Sequence, residues 1–75
     1  MEWNDVIENP ENEKERLEKI IDKNPKDAEA YYKLGEVYEN IGDDPKAIEY
    51  CEKALGIDPD NMLYLAFHIF LTLQQ

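Results

Sequence analysis

Residues 31–59 read YYKLGEVYENIGDDPKAIEYCEKALGIDP and contain two helix-length segments separated by a glycine. In each segment the apolar or small residues recur every three or four positions, as on one face of a helix. They are Tyr31, Leu34, Val37, Tyr38 and Ile41 in the first segment, with Ala30 just before it, and Ala47, Ile48, Cys51, Ala54 and Leu55 in the second. Gly42 and Gly56 follow the two segments, and glycine often ends a helix. The stretch therefore predicts an antiparallel helical hairpin.

The same pattern extends towards the N-terminus. LEKIIDKNP at residues 17–25 aligns with CEKALGIDP at residues 51–59, and the offset is 34 throughout. A fixed period of this length indicates a helical repeat whose units bury their apolar faces on one another. Leu17, Ile20 and Ile21 form the expected apolar stripe of the earlier helix.

Four prolines mark the helix boundaries, and each one follows Asn or Asp. Asn and Asp cap helix N-termini, and proline suits the first helical position. This pattern predicts an all-α chain of about four helices. They run from about Pro10 to Lys23, from about Pro25 or Asp27 to Asn40, from Pro45 to Gly56, and from near Pro59 towards the C-terminus.

The middle of the chain resembles the tetratricopeptide repeat (TPR) family. The motif reads Tyr31-x₂-Leu34-Gly35-x₂-Tyr38, then Ala47-x₃-Cys51-x₂-Ala54, and closes at Pro59. The resemblance covers residues 28–61 and implies antiparallel helical hairpins in a right-handed solenoid. It also implies a non-catalytic module that binds a protein or peptide on the first helices of its hairpins. Three positions depart from the family pattern: Tyr31 stands in place of Trp, Cys51 in place of a bulky aromatic, and Asp44 where a large ring is common.

Partial repeats flank the full one in what we interpret as a single TPR-like domain over residues 1–75. Residues 10–25 correspond to the second helix of a preceding repeat, and residues 62–75 to the first helix of a following one. The motif fails in the latter, which reads Leu65-x₂-His68-Ile69-x₂-Thr72. Ten of its 14 residues are apolar and none is charged. Three apolar residues of the lead-in are predicted to fold back as a cap, namely Trp3, Val6 and Ile7.

Composition narrows the class of partner. The net charge of −10 argues against nucleic acid and anionic membrane surfaces. The single cysteine and the acidic N-terminus favour a cytoplasmic protein. One Cys and one His do not make a zinc site, so Cys51 and His68 are interpreted as packing or interface residues. We expect no catalytic residues, no metal and no cofactor.

Two uses of the C-terminal helix remain open, and they are compatible. The resemblance implies a peptide-binding face that consists of Glu29, Tyr32, Lys33, Glu36, Glu39, Leu63, Ala66, Phe67 and Phe70. Its acidic edge beside an apolar strip favours a peptide with apolar anchors and basic flanks. Alternatively, the exposed apolar helix makes a symmetric homodimer through Leu65, Phe67, Ile69, Phe70 and Leu73. A domain cut from a longer enzyme-associated chain is a more distant option, and an engineered or truncated origin fits the uncovered end.

Overall fold

The computed structural model describes residues 10–74, which form four α-helices and no strand. They are α1 (Pro10–Lys23), α2 (Ala28–Ile41), α3 (Asp44–Ile57) and α4 (Met62–Leu73). Each helix packs on the next one along the chain. The all-α fold predicted from the sequence is confirmed, whereas the predicted cap of Trp3, Val6 and Ile7 lies outside the described residues.

The turns before α2 and α4 have the same construction. The Asp27 N–H donates to the Asn24 carbonyl at 3.0 Å, and the Asn61 N–H donates to the Asp58 carbonyl at 3.3 Å. Each proline is therefore the second residue of a β-turn, a position that its fixed φ suits. The predicted helix starts at Pro25 and near Pro59 were wrong by about three residues, because these prolines shape the turn that precedes each helix.

Side-chain caps begin the helices after these turns. The Asp27 side chain accepts from the Ala30 N–H at 3.1 Å, which bears out Asp27 as the alternative predicted start of α2. The Asn61 side chain accepts from the N–H groups of Leu63 and Tyr64 at 2.9 and 3.2 Å. Both caps satisfy backbone donors that the first turn of a helix leaves without a partner.

The turn between α2 and α3 depends on Gly42. Its φ of 100° lies in the left-handed region, and its N–H donates to the carbonyls of Tyr38 and Glu39. Asp43, rather than Asp44, then caps α3 by accepting from the Lys46 N–H at 3.2 Å. The predicted end of α3 at Gly56 was also wrong, because the helix continues through Gly56 to Ile57.

Small residues allow α2 and α3 to approach closely. A Cβ placed on Gly35 would lie 3.2 Å from the Ala47 carbonyl oxygen and 3.7 Å from the Cys51 nitrogen. Ala47, Cys51 and Ala54 are fully buried on the facing side of α3. The contact between these two helices is therefore backbone-close.

Two hydrophobic clusters lie on either side of this hairpin. One joins α1 to α2 through Leu17, Ala30, Leu34 and Val37, and the other joins α3 to α4 through Ala47, Cys51 and Leu71. The predicted stripe of α1 is only partly buried, since Ile20 is 39% exposed. Within residues 10–74, no helix has both the length and the apolar content needed to cross a bilayer.

Candidate binding surface on α2 and α4

An aromatic row connects α2 and α4. The Tyr32 ring of α2 stacks on Tyr64 of α4 with centroids 4.9 Å apart, and it meets the Phe67 ring edge-on at 5.2 Å. Phe67 in turn stacks on Phe70 at 6.4 Å. These contacts bring together three of the nine residues assigned to the peptide-binding face, which is called the first-helix face from here on. Tyr64 is buried and supports the row from beneath.

The first-helix face also carries carboxylates on the α2 side. Glu36 is exposed one turn after Tyr32, whereas Glu29 is paired with Lys33 at 3.5 Å. Burial and the nearby Glu36 carboxylate raise the pKa of Tyr32 to about 12. Tyr32 therefore stays a neutral phenol throughout the physiological range. Glu36 and Glu39 are the two glutamates of this face that form no ion pair within residues 10–74.

The apolar residues of α4 fall into two exposed rows on either side of the helix axis. Leu63 and Phe70 are 58% and 46% exposed and belong, with half-buried Phe67, to the row beside Tyr32. The other row faces away from the rest of the domain and consists of Met62, Leu65, Ile69 and Leu73, which are 74%, 37%, 56% and 79% exposed. We call this second row the terminal face.

The five residues assigned to self-association are divided between these rows. Leu65, Ile69 and Leu73 lie on the terminal face. Phe67 packs inside the domain instead, with its ring 3.3 Å from the position that a Gly35 Cβ would take. Phe70 stacks on Phe67 and belongs to the first-helix face. Helix α4 carries no charged residue to mark a polar side, so sequence reasoning had no signal that would separate the two rows.

The remaining predicted positions are ordinary surface sites. Glu39 is half-buried at the end of α2, and Ala66 lies exposed between the two rows of α4. They extend the first-helix face without adding a specific polar contact to it.

Cys51 and His68 have structural contacts. The Cys51 thiol is fully buried and donates to the Tyr64 carbonyl at 3.4 Å, and burial raises its pKa to about 11. The His68 Nε2 lies 3.2 Å from a Glu52 carboxylate oxygen. Both side chains hold α4 against α3. Among residues 10–74, no three His, Cys, Asp or Glu side chains come together as a metal site requires.

A second aromatic row lies on the α1 and α3 side and escaped sequence reasoning. Tyr50 stacks on Tyr38 at 5.4 Å and on Tyr31 at 6.2 Å. Lys14 and Lys46 each place their Nζ 5.8 Å from the centroid of the Tyr38 ring. Cations at this distance are attracted to an aromatic face. The row stabilises the junction of α1, α2 and α3, and the spacing of Tyr50 from Tyr38 in sequence gave no indication of it.

Comparison with known proteins agrees with the hairpin geometry. Residues 28–61 match the profile of the family described as "Tetratricopeptide repeat". The chain is 44% identical over 43 residues to "Cellulose synthase operon protein C" of Escherichia coli K12 and to "Putative cellulose synthase operon protein C" of Escherichia coli O157:H7. Each match covers 57% of this chain but only 4% of the relative. The similarity is thus confined to a small part of each of these two much longer proteins.

Proposed function

Because residues 28–61 match the tetratricopeptide-repeat family, we propose that the chain is a protein-binding module that holds an extended peptide on its first-helix face. Repeats of this family are generally non-catalytic and bind proteins or peptides. The observation that carries the proposal is the contact of Tyr32 with Phe67. It makes the surfaces of α2 and α4 continuous, with ring centroids 5.2 Å apart.

The chemistry of this face favours a partner with apolar anchors and basic flanks. Leu63 and Phe70 offer exposed apolar surface, and apolar contacts of this kind gain free energy when they lose water. Glu36 adds an unpaired carboxylate at the edge of the strip, and the whole chain carries a net charge of −10. A basic flank is attracted to this edge, and an acidic peptide is repelled by it.

Titration of two labelled peptides tests this proposal. One peptide has apolar anchors flanked by Lys or Arg, and the other is acidic with a free C-terminal carboxylate. We expect the basic peptide to bind more tightly, with an affinity that falls as salt is added, because salt screens exposed charges. Fluorescence anisotropy with the parent and with Glu36→Lys measures the electrostatic contribution.

Glu49→Lys is the matched control, because Glu49 is an exposed glutamate of α3 outside the first-helix face. Both variants change the net charge by the same amount. The basic peptide should lose affinity for Glu36→Lys and much less for Glu49→Lys. Equal binding of the two peptides, or equal effects of the two variants, would refute the assignment of this face.

Self-assembly is a second candidate function and is compatible with the first. Four large apolar side chains of the terminal face are exposed on one 12-residue helix. Exposed apolar patches of this kind usually mark interaction sites. In this role the chain is a structural unit that pairs with another copy through α4, and the homodimer then displays the peptide-binding face twice.

A further inference from the structure

We infer that the terminal face pairs with the terminal face of a second copy, with the two α4 helices antiparallel across a two-fold axis. This inference rests on the self-association proposed above and specifies its surface, its occupant and its geometry. The alternatives are a following helix placed as in a regular repeat array and a head-to-tail contact with α1 of another copy. Contacts within the described domain argue against both.

A regular continuation of the array is blocked at Ile69. Residue 69 is the equivalent of Gly35 at the 34-residue offset. At Gly35 even a single added carbon would lie 3.2 Å from the Ala47 carbonyl oxygen of the covering helix, which is tighter than most Cβ contacts. Ile69 places four side-chain carbons at the corresponding point of α4. A helix therefore cannot approach α4 as closely as α3 approaches α2.

A head-to-tail contact with α1 of another copy fails for a related reason. Helix α1 is equivalent to α3, so in such a contact it would take the covering position on α4. Glu13 is then the equivalent of Ala47, and it would bring a carboxylate to the apolar side chain of Ile69. Glu13 lies 3.8 Å from Arg16 in an ion pair. Burying the Glu13 carboxylate against an apolar surface without new partners is costly.

Charge favours the meeting of two α4 helices. All 26 charged residues lie at or before position 60, so α4 is the part of this acidic chain where two copies repel each other least. An identical patch is most simply covered by a two-fold contact with itself. The terminal face is apolar along its whole length and needs no charged partner. A second copy is therefore the occupant that fits it best.

The acidic turn before α4 sets the direction of the pair. Asp58 and Asp60 are exposed just before the first turn of the helix. In a parallel pair, the acidic turns of the two copies would lie side by side and repel each other. An antiparallel pair places each turn beside the uncharged C-terminal end of the other α4. In that arrangement Leu65 of one copy lies opposite Ile69 of the other, near the two-fold axis.

The first-helix face stays outside this contact. Phe67 is held against Tyr32 within its own copy, and Phe70 stacks on Phe67. The dimer therefore presents two separate peptide-binding faces. A partner with two suitable segments on a linker long enough to reach both faces would gain avidity.

Solution mass measured over a range of concentrations gives the first test. We expect the parent to have twice the single-chain mass of 8.8 kDa, and Ile69→Glu and Leu73→Glu to have the single-chain mass. Ile20→Glu introduces the same change at a partly exposed isoleucine of α1 and should remain dimeric. Far-ultraviolet circular dichroism verifies that each variant keeps its helices.

Three results of this experiment would overturn the inference. They are a parent that stays monomeric at the highest concentration reached, a dimer that survives both α4 variants, and a mass that continues to grow beyond two copies. A folded Ile20→Glu variant that becomes monomeric would likewise place α1 in the interface and contradict the pairing of two terminal faces.

Cysteine cross-linking tests the direction of the pair. Leu65→Cys and Ile69→Cys are prepared separately, mixed and oxidised, with the parent as a control because its single thiol is buried. Antiparallel pairing predicts that the mixed disulfide dominates. A predominance of the Leu65→Cys disulfide with itself would contradict the antiparallel arrangement.

Peptide titration with Ile69→Glu separates the two proposals. If Ile69→Glu is monomeric and still binds the basic peptide, both proposals stand. The terminal face then mediates pairing, and the first-helix face binds peptide without it. If the dimer forms as inferred and no peptide binds the parent, the first-helix face assignment fails while the two-fold contact stands.

Discussion

Helices α2 and α4 begin 34 residues apart in the sequence, yet they have different surroundings. Helix α2 is covered by α1 on one side and by α3 on the other, and Leu34 at its centre is fully buried. Helix α4 packs on α3 through Leu71 and leaves its terminal face exposed. The two helices begin with equivalent caps, so local sequence alone does not cause the difference. It follows from the covering helices, which are α1 and α3 for α2 but α3 alone for α4 among the contacts within residues 10–74.

The pair Leu34 and His68, which are equivalent at the 34-residue offset, offers the largest contrast. Leu34→Ala removes fully buried methyl groups between two helices, and we expect a loss of about 2–5 kcal/mol in the free energy of unfolding. His68→Ala removes a partly exposed contact with Glu52, and such pairs contribute about 1 kcal/mol or less. Urea denaturation monitored by circular dichroism measures both. Equal losses would show that α4 contributes to the core as much as α2 does.

Gly35 and Gly56 provide a smaller and sharper contrast. Alanine at Gly35 is overpacked against the backbone of α3, and overpacking costs about 1–3 kcal/mol. The opposing gain in helix propensity is about 1 kcal/mol, so the net change is expected to be destabilising. Gly56→Ala gains the propensity alone, because no atom lies within 4 Å of its added Cβ. We therefore expect the thermal unfolding midpoint to fall for Gly35→Ala and to rise for Gly56→Ala. A rise for both would mean that α2 and α3 are not backbone-close.

Alkaline pH should weaken the attachment of α4, and this effect should be smaller than those of the substitutions at Leu34 and Gly35. Burial raises the pKa of Cys51 from 9.0 to about 11 and that of Tyr32 from 10.0 to about 12. The folded state holds the Cys51 and Tyr32 protons more tightly than the unfolded state does. The two groups therefore make their full contribution to the free energy of unfolding below about pH 9, and this contribution is lost between pH 9 and 12. Both groups contact α4, through the Tyr64 carbonyl and the Tyr64 and Phe67 rings.

The double variant Cys51→Ser and Tyr32→Phe removes both titrating groups and should flatten the decline in stability over this pH range. Chemical denaturation at successive pH values gives the comparison. An unchanged slope in the double variant would assign the alkaline sensitivity to other groups.

Sequence reasoning succeeded where the signal was periodic. The 34-residue offset and the motif from Tyr31 to Pro59 predicted the number of helices and their order. Its predicted start of α4 near Pro59 was too early, and it left the start of α2 open between Pro25 and Asp27, because proline fits both a β-turn and a first helical turn. The caps of Asp27 and Asn61 fix both starts in the folded chain.

The candidate site was less accessible to sequence reasoning for a physical reason. On a helix with charged residues, the side without them is usually the buried side. Helix α4 has no charged residue, so packing alone sets its orientation. The close fit of Phe67 into the space above Gly35 turns that ring inward and leaves Ile69 outside. This contact joins positions 32 residues apart, so no local sequence pattern predicts it.

The rate at which the Cys51 thiol is chemically modified also measures the opening of α4. It is the single sulfhydryl in the chain, and α4 covers it through the Tyr64 backbone. A thiol reagent reacts with the thiolate and must reach the sulfur, so modification near neutral pH proceeds only from conformers in which α4 has moved away. When closing is fast, the modification rate divided by that of an unfolded control equals the equilibrium constant for opening. Comparison of this constant with that for global unfolding shows whether α4 detaches while α1, α2 and α3 remain folded.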